Sequence, residues 1–251
     1  MLNCFTHFFV QNEISKELLA KIGITNVSVV GDTRFDRVLQ IKEASKQLSV
    51  VDTFVKESGE KPKVFVAGSS WPPDEEIFIK YFKAHRDWKL IIAPHVIGED
   101  HLQQIEAMLE GFHVERYTKL VAQGDTAPLA PWRGDGGEAL IIDCFGLLSS
   151  IYRYGNIAYV GGGFGVGIHN LLEAAVWDIP VFFGPNNQKF QEAQGLKQNG
   201  GFEISNYEDF ERQMNRFASE NDYLQEQGRK AGQFVQSLAG ATEKVMASIC
   251  L

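Results

Sequence analysis

A parallel β-sheet with helices on both faces is the α/β fold class this sequence predicts, and three observations predict it. Short, uninterrupted apolar runs recur along the chain and alternate with longer amphipathic stretches. Continuous apolar strands belong in a sheet buried on both faces, and the helices between them supply the crossovers that parallel pairing needs. Glycine, proline and small polar residues punctuate the ends of the runs, where turns must form. With 251 residues and 44% hydrophobic content, the chain has ample material for a sizeable core.

Taken in order, residues 5–10 read as a strand, 13–22 as a helix and 27–30 as a second short strand, before Gly31-Asp32-Thr33 breaks the pattern. A long polar helix is predicted over 35–58, ending at Gly59. Strands then follow at 64–67, 90–93, 139–142, 157–160 and 181–183, with helices at 74–85, 99–110, 147–153, 170–177 and 189–198. From Asn206 the chain reads as helical to its end. Residues 118–137 carry Gly, Asp and Pro without periodicity and read as a surface loop. Two strands and one helix cannot bury their own faces. Residues 5–30 therefore either lean on the main domain or are the tail of a domain whose earlier part is missing.

The formal net charge of -8, with no basic block to offset it, argues against a nucleic-acid partner. Cys4, Cys144 and Cys250 make an odd count without metal-ligand spacing, which suggests buried thiols in a reducing compartment. No apolar run approaches the ~20 residues of a bilayer span, and no signal peptide is read at the start. The expectation is a soluble, cytoplasmic chain.

Ligands of open parallel sheets sit beyond the carboxyl ends of the strands, and four loops there carry suitable chemistry. The richest is GGGFGVGIHNLLEAA, residues 161–175. It reads as a glycine turn whose amides can approach an anion closely, followed by a helix start with its positive dipole end. Gly162, Gly163, His169, Asn170 and Glu173 are its candidates, Glu173 being placed to hold sugar hydroxyls; equally, Asn170 and Glu173 have capping-box spacing. Gly68-Ser69-Ser70 lies before a helix marked by Pro72, Pro73, Asp74 and Glu75, where hydroxyls suit a phosphate or carboxylate, unless Ser70 simply caps that helix. Pro94-His95 can bring an imidazole into the cleft or be an ordinary loop pair. Asp143-Cys144-Phe145-Gly146 offers an apolar wall and backbone groups to a base, with Asp143 the expected N-cap of the next helix. The glycine pattern is neither a dinucleotide fingerprint nor a P-loop, and no nucleophile elbow is present.

Several of these segments occur together in order: Val30-Gly31-Asp32-Thr33-Arg34-Phe35-Asp36, Ala67-Gly68-Ser69-Ser70, Tyr159-Val160-Gly161-Gly162-Gly163, His169-Asn170 with Leu172-Glu173-Ala174-Ala175, and Phe183-Gly184-Pro185. The series closely resembles the 3-deoxy-D-manno-octulosonic acid (Kdo) transferases of lipopolysaccharide assembly. Those are inverting glycosyltransferases of the GT-B type, which move Kdo from CMP-Kdo onto lipid A precursor. The resemblance implies a Rossmann-like sheet forming the C-terminal half of a GT-B fold. Residues 1–31 would be the remnant of an N-terminal acceptor domain with its linker, and 32–251 the donor domain.

Gly68, Ser69 and Ser70 would then lie at the interdomain cleft near the donor. The glycine turn with His169 and Asn170 would face the CMP phosphate, Glu173 would hold the ribose, and Phe145 and Gly146 would flank cytosine. Many relatives have arginine after the proline matching Pro94; here His95 stands there, so that positive contact is absent or replaced. Val166-Gly167-Ile168 likewise stands where a basic residue and two glycines are common. The family's glutamate base belongs to the absent first domain, so no catalytic residue is expected in this chain, which should be inactive alone. No metal or other cofactor is implied, and no Asp-x-Asp pair is present to hold a metal-bound nucleotide. The implied partners are CMP-Kdo, lipid A precursor and the missing domain. Through that domain the full-length protein would sit at the cytoplasmic face of the inner membrane. A GT-B enzyme using a UDP-sugar, or a non-catalytic nucleotide-binding domain, remains the alternative.

Overall fold

The computed structural model of the chain describes residues 2–56, 63–123 and 137–249. It begins with a 3-10 turn, Leu2–Cys4, followed by β1 (Phe8–Val10), α1 (Glu13–Lys21) and β2 (Val27–Val29). The two strands pair in parallel as a sheet of their own. Asn12 caps α1, its side chain accepting from the Ser15 N–H, and its amide also donates to Gln191 Oε1 at 2.8 Å. No residue of α1 is buried. Ile14 and Leu18, one helical turn apart, and Ile22 just past the helix are all more than half exposed. The expectation that residues 5–30 cannot cover themselves is therefore met. Leu18→Lys should change the unfolding free energy by no more than about 0.5 kcal/mol while reducing binding of a hydrophobic dye, readable by denaturant melts and dye fluorescence.

The predicted single helix over 35–58 is two helices, α2 (Thr33–Glu43) and α3 (Ser49–Lys56). The cause lies in the phase of the apolar residues. Phe35 and Val38 are buried on α2, and Val50, Val51 and Phe54 on α3. On one continuous helix of ~3.6 residues per turn these two groups would point about 140° apart, and only one could face the sheet. The break lets both do so, and Tyr154 accepts the Leu48 N–H at the turn.

The main sheet has β3 (Lys63–Ser70), β4 (Trp88–Pro94), β5 (His113–Arg116), β6 (Glu138–Ile141), β7 (Ile157–Val160), β8 (Val181–Phe183) and β9 (Gly201–Glu203). Its order is β5-β6-β4-β3-β7-β8-β9, and every neighbouring pair is parallel. Without the edge strand β5, the order counted along the chain is 3-2-1-4-5-6, the doubly wound order whose direction of winding reverses between its first and fourth strands. Here these are β3 and β7.

Alternate residues of each strand feed opposite cores. Val64, Val66, Ile91 and Val160 pack with α2, α3, α7 (Leu148–Ile151), α8 (Leu172–Ala175), α9 (Gln191–Leu196) and α11 (Asn221–Ser237). Phe65, Leu90, Ile92, Tyr159 and Phe182 pack with α4 (Pro72–Ala84), α5 (Glu99–Met108) and α10 (Tyr207–Ser219). The uninterrupted apolar runs are the signature of this two-sided burial. A last helix, α12 (Ala241–Ile249), is fastened to α2 by Asp36, which accepts from the Thr242 N–H and hydroxyl.

Other expectations need correction. Part of the presumed loop 118–137 is helical, in α6 (Tyr117–Ala122), while residues 124–136 lie outside the described residues. The edge strands β5 and β9 were not predicted, because partly exposed HVER and the short GFE carry no apolar run. Cys4 is exposed and Cys144 partly so, against the expectation of buried thiols; Cys250 lies outside the described residues. Among the described residues no helix is long and apolar enough to cross a membrane.

Candidate ligand site at the switch point

The crevice between the carboxyl ends of β3 and β7 is where an open sheet of this order holds its ligands. Into it converge the β3–α4 loop, the β4–α5 loop and the glycine turn after β7. Asp74, in the first turn of α4, binds two of them together. Its side chain is fully buried: Oδ1 accepts from the Tyr159 hydroxyl at 2.7 Å, and Oδ2 accepts from the N–H groups of Gly162 (3.0 Å) and Trp71 (2.9 Å). Burial pushes this carboxyl above the usual range, opposed by the same three donors.

The glycine turn is held so closely that Gly161 admits no side chain; a Cβ there would lie 2.2 Å from the Ser69 carbonyl oxygen. On its other side Asn186 donates its backbone N–H to the Gly163 carbonyl and its side-chain amide to that of Gly165, at 2.8 and 2.6 Å. The amides of Gly161, Gly162, Gly165, Gly167 and His169 all bond within this framework. The expectation of glycine amides aimed as a set at an anion is therefore corrected. Those of Gly163 and Phe164 have no internal partner among the described residues. The helix expected over 170–177 is a single turn, α8, too short for an appreciable dipole.

Aromatic rings form the wall of the crevice. His95 is exposed and stacks on Trp71 (4.6 Å, 24°) and on His169 (4.5 Å, 26°). The Trp71 indole N–H points to His169 Nε2 at 3.4 Å. An indole can only donate, so His169 Nε2 carries a lone pair and the neutral ring holds its proton on Nδ1. Burial, and then the neighbouring His95, lower the affinity of His169 for a second proton, while Asp74 acts the other way. Beside the stack lies a cavity of about 190 Å³ lined by Trp71, Pro73, Asp74, Phe164 and Val166.

Asn170 accepts the Leu172 N–H and donates to Glu173 Oε1 at 3.1 Å. This is half a capping box: the glutamate meets the side chain of Asn170, not its backbone. That is the only hydrogen bond of Glu173 among the described residues, and burial pushes its carboxyl up, with Asn170 opposing.

The other predicted residues divide. Gly68 is buried beneath Tyr152 and Leu148, with no room for a Cβ. Ser69, half-buried, takes a left-handed backbone (φ 52) at the irregularity where β3 leaves the ladder. Ser70 is fully buried and donates its hydroxyl to Glu75, so it neither caps α4 nor faces the crevice; both readings of it are corrected. Pro94 is buried and delivers His95 to the stack. Phe145 is 77% exposed and Gly146 opens on unfilled space. Asp143, expected as the next N-cap, instead accepts from the Thr118 N–H and hydroxyl at the start of α6.

Sequence reasoning missed Trp71, Asp74 as a bridge between loops, and Asn186. Trp71 and Asp74 looked like helix punctuation, and only the acidic first turn before an apolar helix hinted at Asp74. Among the described residues no cluster of three or more His, Cys, Asp or Glu side chains is arranged to hold a metal ion.

No family model matches the chain. It is 30% identical over 236 residues to a bifunctional glycosyltransferase/methyltransferase of Fusobacterium nucleatum, covering 88% of this chain and 34% of that protein. It is 33% identical over 153 residues to the 3-deoxy-D-manno-octulosonic acid transferase of Aquifex aeolicus, covering 58% of this chain and 39% of that one. The chain thus spans well under half of these relatives' length. Among solved structures, the C-terminal CMP-Kdo binding domain of WaaA from Acinetobacter baumannii superposes with a TM-score of 0.58 at 16% identity, covering 80% of this chain and 97% of that domain. That likeness establishes the fold.

Proposed function

We propose that this chain, a homologue of the Kdo transferases with the fold of a GT-B C-terminal half, is the donor-binding part of an enzyme that transfers Kdo from CMP-Kdo to lipid A precursor. One observation carries the reading: Glu173, the Trp71–His95–His169 stack and Phe145 all follow strands at the carboxyl edge of a doubly wound sheet, and they are the kinds of group that a nucleotide's ribose, phosphate and base call for. Glu173 accepts the ribose hydroxyls. The imidazoles of His95 and His169, with the amides of Gly163 and Phe164, face the phosphate. Phe145 covers the cytosine, with Gly146 beside it. Gly68, Ser69, Ser70, Pro94, Gly162 and Asn170 shape the loops that hold these groups. Residues 1–31 form the end of an acceptor domain, and 32–251 the donor domain.

In the complete enzyme a base on the acceptor domain deprotonates the acceptor hydroxyl, which attacks the anomeric carbon of Kdo as CMP departs. General-base help of this kind contributes on the order of 10²–10⁴ in rate. Amides and imidazole N–H groups meet the charge that develops on the leaving phosphate. The isolated chain binds donor and turns nothing over, and in the cell the enzyme works at the cytoplasmic face of the inner membrane.

Calorimetric titration with CMP, with UMP and Glu173→Ala as controls, tests this. Hydrogen bonds to a charged group contribute about 1.5–3 kcal/mol each, so E173A should weaken CMP by roughly 10- to 100-fold while UMP binds more weakly than CMP to the parent. Burial holds the Glu173 carboxyl above its ordinary value, and the contribution of Glu173 to CMP affinity should be complete where that carboxyl is ionised. It should fall as the pH drops, with a midpoint above the ~4.3 of a free glutamate. Preference for UMP, or binding unaffected by E173A, would overturn the reading.

A further inference from the structure

Behind the His95 loop lies an acid–base pair whose geometry fixes a proton count. Glu75, fully buried on α4, accepts the Ser70 hydroxyl at Oε1 (2.8 Å) and meets His101 Nε2 at Oε2 (2.9 Å). The other ring nitrogen of His101, Nδ1, lies 2.8 Å from the carbonyl oxygen of Val96. A carbonyl can only accept, so Nδ1 carries a hydrogen. If Glu75 is ionised it too can only accept, and Nε2 must be protonated. If the ring is neutral, Nε2 holds a lone pair, and Glu75 must be the acid that donates to it. Both arrangements contain one proton beyond that on Nδ1. Without it, a carboxylate oxygen and a ring lone pair would face each other in a buried site.

We propose that Glu75 and His101 are positioning residues for the donor site: their one shared proton fastens the 94–98 loop, through the Val96 carbonyl, and so keeps His95 stacked between Trp71 and His169. This rests on the reading of that stack as the phosphate wall. Neighbouring charges agree with a retained proton. Asp74, next to Glu75 on α4, disfavours a second buried carboxylate, and burial itself pushes the Glu75 carboxyl up, against the Ser70 and His101 hydrogen bonds. On α5, Glu99 is taken up by Arg116, while Asp100 is exposed; on the loop side His95 stacks on His169.

The linkage has a definite sign. Burial holds the Glu75 carboxyl above its unfolded value of about 4.3, so the stabilisation it contributes is complete below that value and is lost as the pH rises through the folded titration. Glu75→Gln reproduces the protonated pattern without a titrating group. The amide oxygen accepts from Ser70, and the amide N–H donates to the Nε2 lone pair of a neutral His101.

The test follows the ring proton and nitrogen shifts of His95 and His101 by NMR, with thermal unfolding, from about pH 6 to about pH 9. In the parent chain His101 should show either both nitrogens protonated or the Nδ1–H form. As pH rises, the His95 protons should lose their ring-current displacement and the Tm should fall. In E75Q both should stay level. A His101 ring in the Nε2–H form, or parallel pH profiles of E75Q and parent, would overturn the proposal. Should E75Q not fold, the ring nitrogens of the parent decide alone. CMP titration of the same samples separates the two readings. A tenfold loss of affinity in the parent between the two pH limits, absent in E75Q, supports positioning; pH-independent affinity in the parent overturns it. If CMP does not bind at all, the donor reading fails, and the positioning role for donor binding fails with it, while the ring spectra still report the shared proton.

Discussion

Gly161→Ala is expected to be the most damaging single substitution near the site, costing about 4 kcal/mol or more and abolishing nucleotide binding. A methyl group there would lie 2.2 Å from the Ser69 carbonyl oxygen, 2.7 Å from Ser70 Cα and 2.8 Å from Asp74 Oδ2. The first two are backbone, and the third belongs to a fully buried carboxylate with three hydrogen bonds, so none can step aside. Gly165→Ala is the control within the same turn. Its Cβ would have nothing nearer than the Gly162 carbonyl oxygen at 3.7 Å, and its stability should stay within about 0.5 kcal/mol of the parent. Urea melts of the two variants measure the difference, and equal midpoints would mean that the turn relaxes freely.

Asp74→Ala should come close behind. It strands the Tyr159 hydroxyl and the N–H groups of Trp71 and Gly162 without an acceptor, all at a buried position. Each stranded donor costs about 1–3 kcal/mol, so a total near 4 kcal/mol is expected after partial relaxation. Asp74→Asn should be far milder. One amide oxygen can receive both N–H groups, while the amide donates to the phenol oxygen of Tyr159 once that hydroxyl turns away. The pair of variants also differs from the parent in acid. Burial holds the Asp74 carboxyl above its unfolded value of about 3.9, so its contribution is fully present below that value and is lost as the pH rises through the folded titration. Neither variant should show this slope. A D74N melt that tracks the parent at every pH would contradict the assignment.

The fold was legible because strands buried on two sides must be apolar without interruption, as in Val64-Phe65-Val66-Ala67 and Leu90-Ile91-Ile92-Ala93. Edges have only one neighbour to satisfy and carry no such mark, which hid β5 and β9. The split between α2 and α3 was encoded in the phase of Phe35 and Val38 against Val50, Val51 and Phe54, a signal that net polarity concealed. At the site, the loops could be placed on one edge by counting strands, and His95 and His169 do meet there, in the stack with Trp71. Partner choice was another matter. Whether the Ser70 hydroxyl caps a helix, meets a ligand or turns inward to Glu75 depends on a histidine 31 residues away and on the burial of Glu75. No local spacing carries that.

The strand order has a further consequence, for the sequence of events in folding. β3 and β4 are joined by one helix and can pair early, yet β7, the other wall of the crevice, docks against β3 only after the intervening units have been made. The Val64 N–H finds its acceptor in Asn156, 92 residues further on. Pairings of such long range form late and slowly, because a large loop must close before any contact rewards it. The crevice is therefore among the last features to exist. A nascent or partly melted chain can hold most of its secondary structure and still have no binding site, and a ligand held there would act chiefly on the unfolding rate, since it bridges contacts that the folding transition state has yet to make.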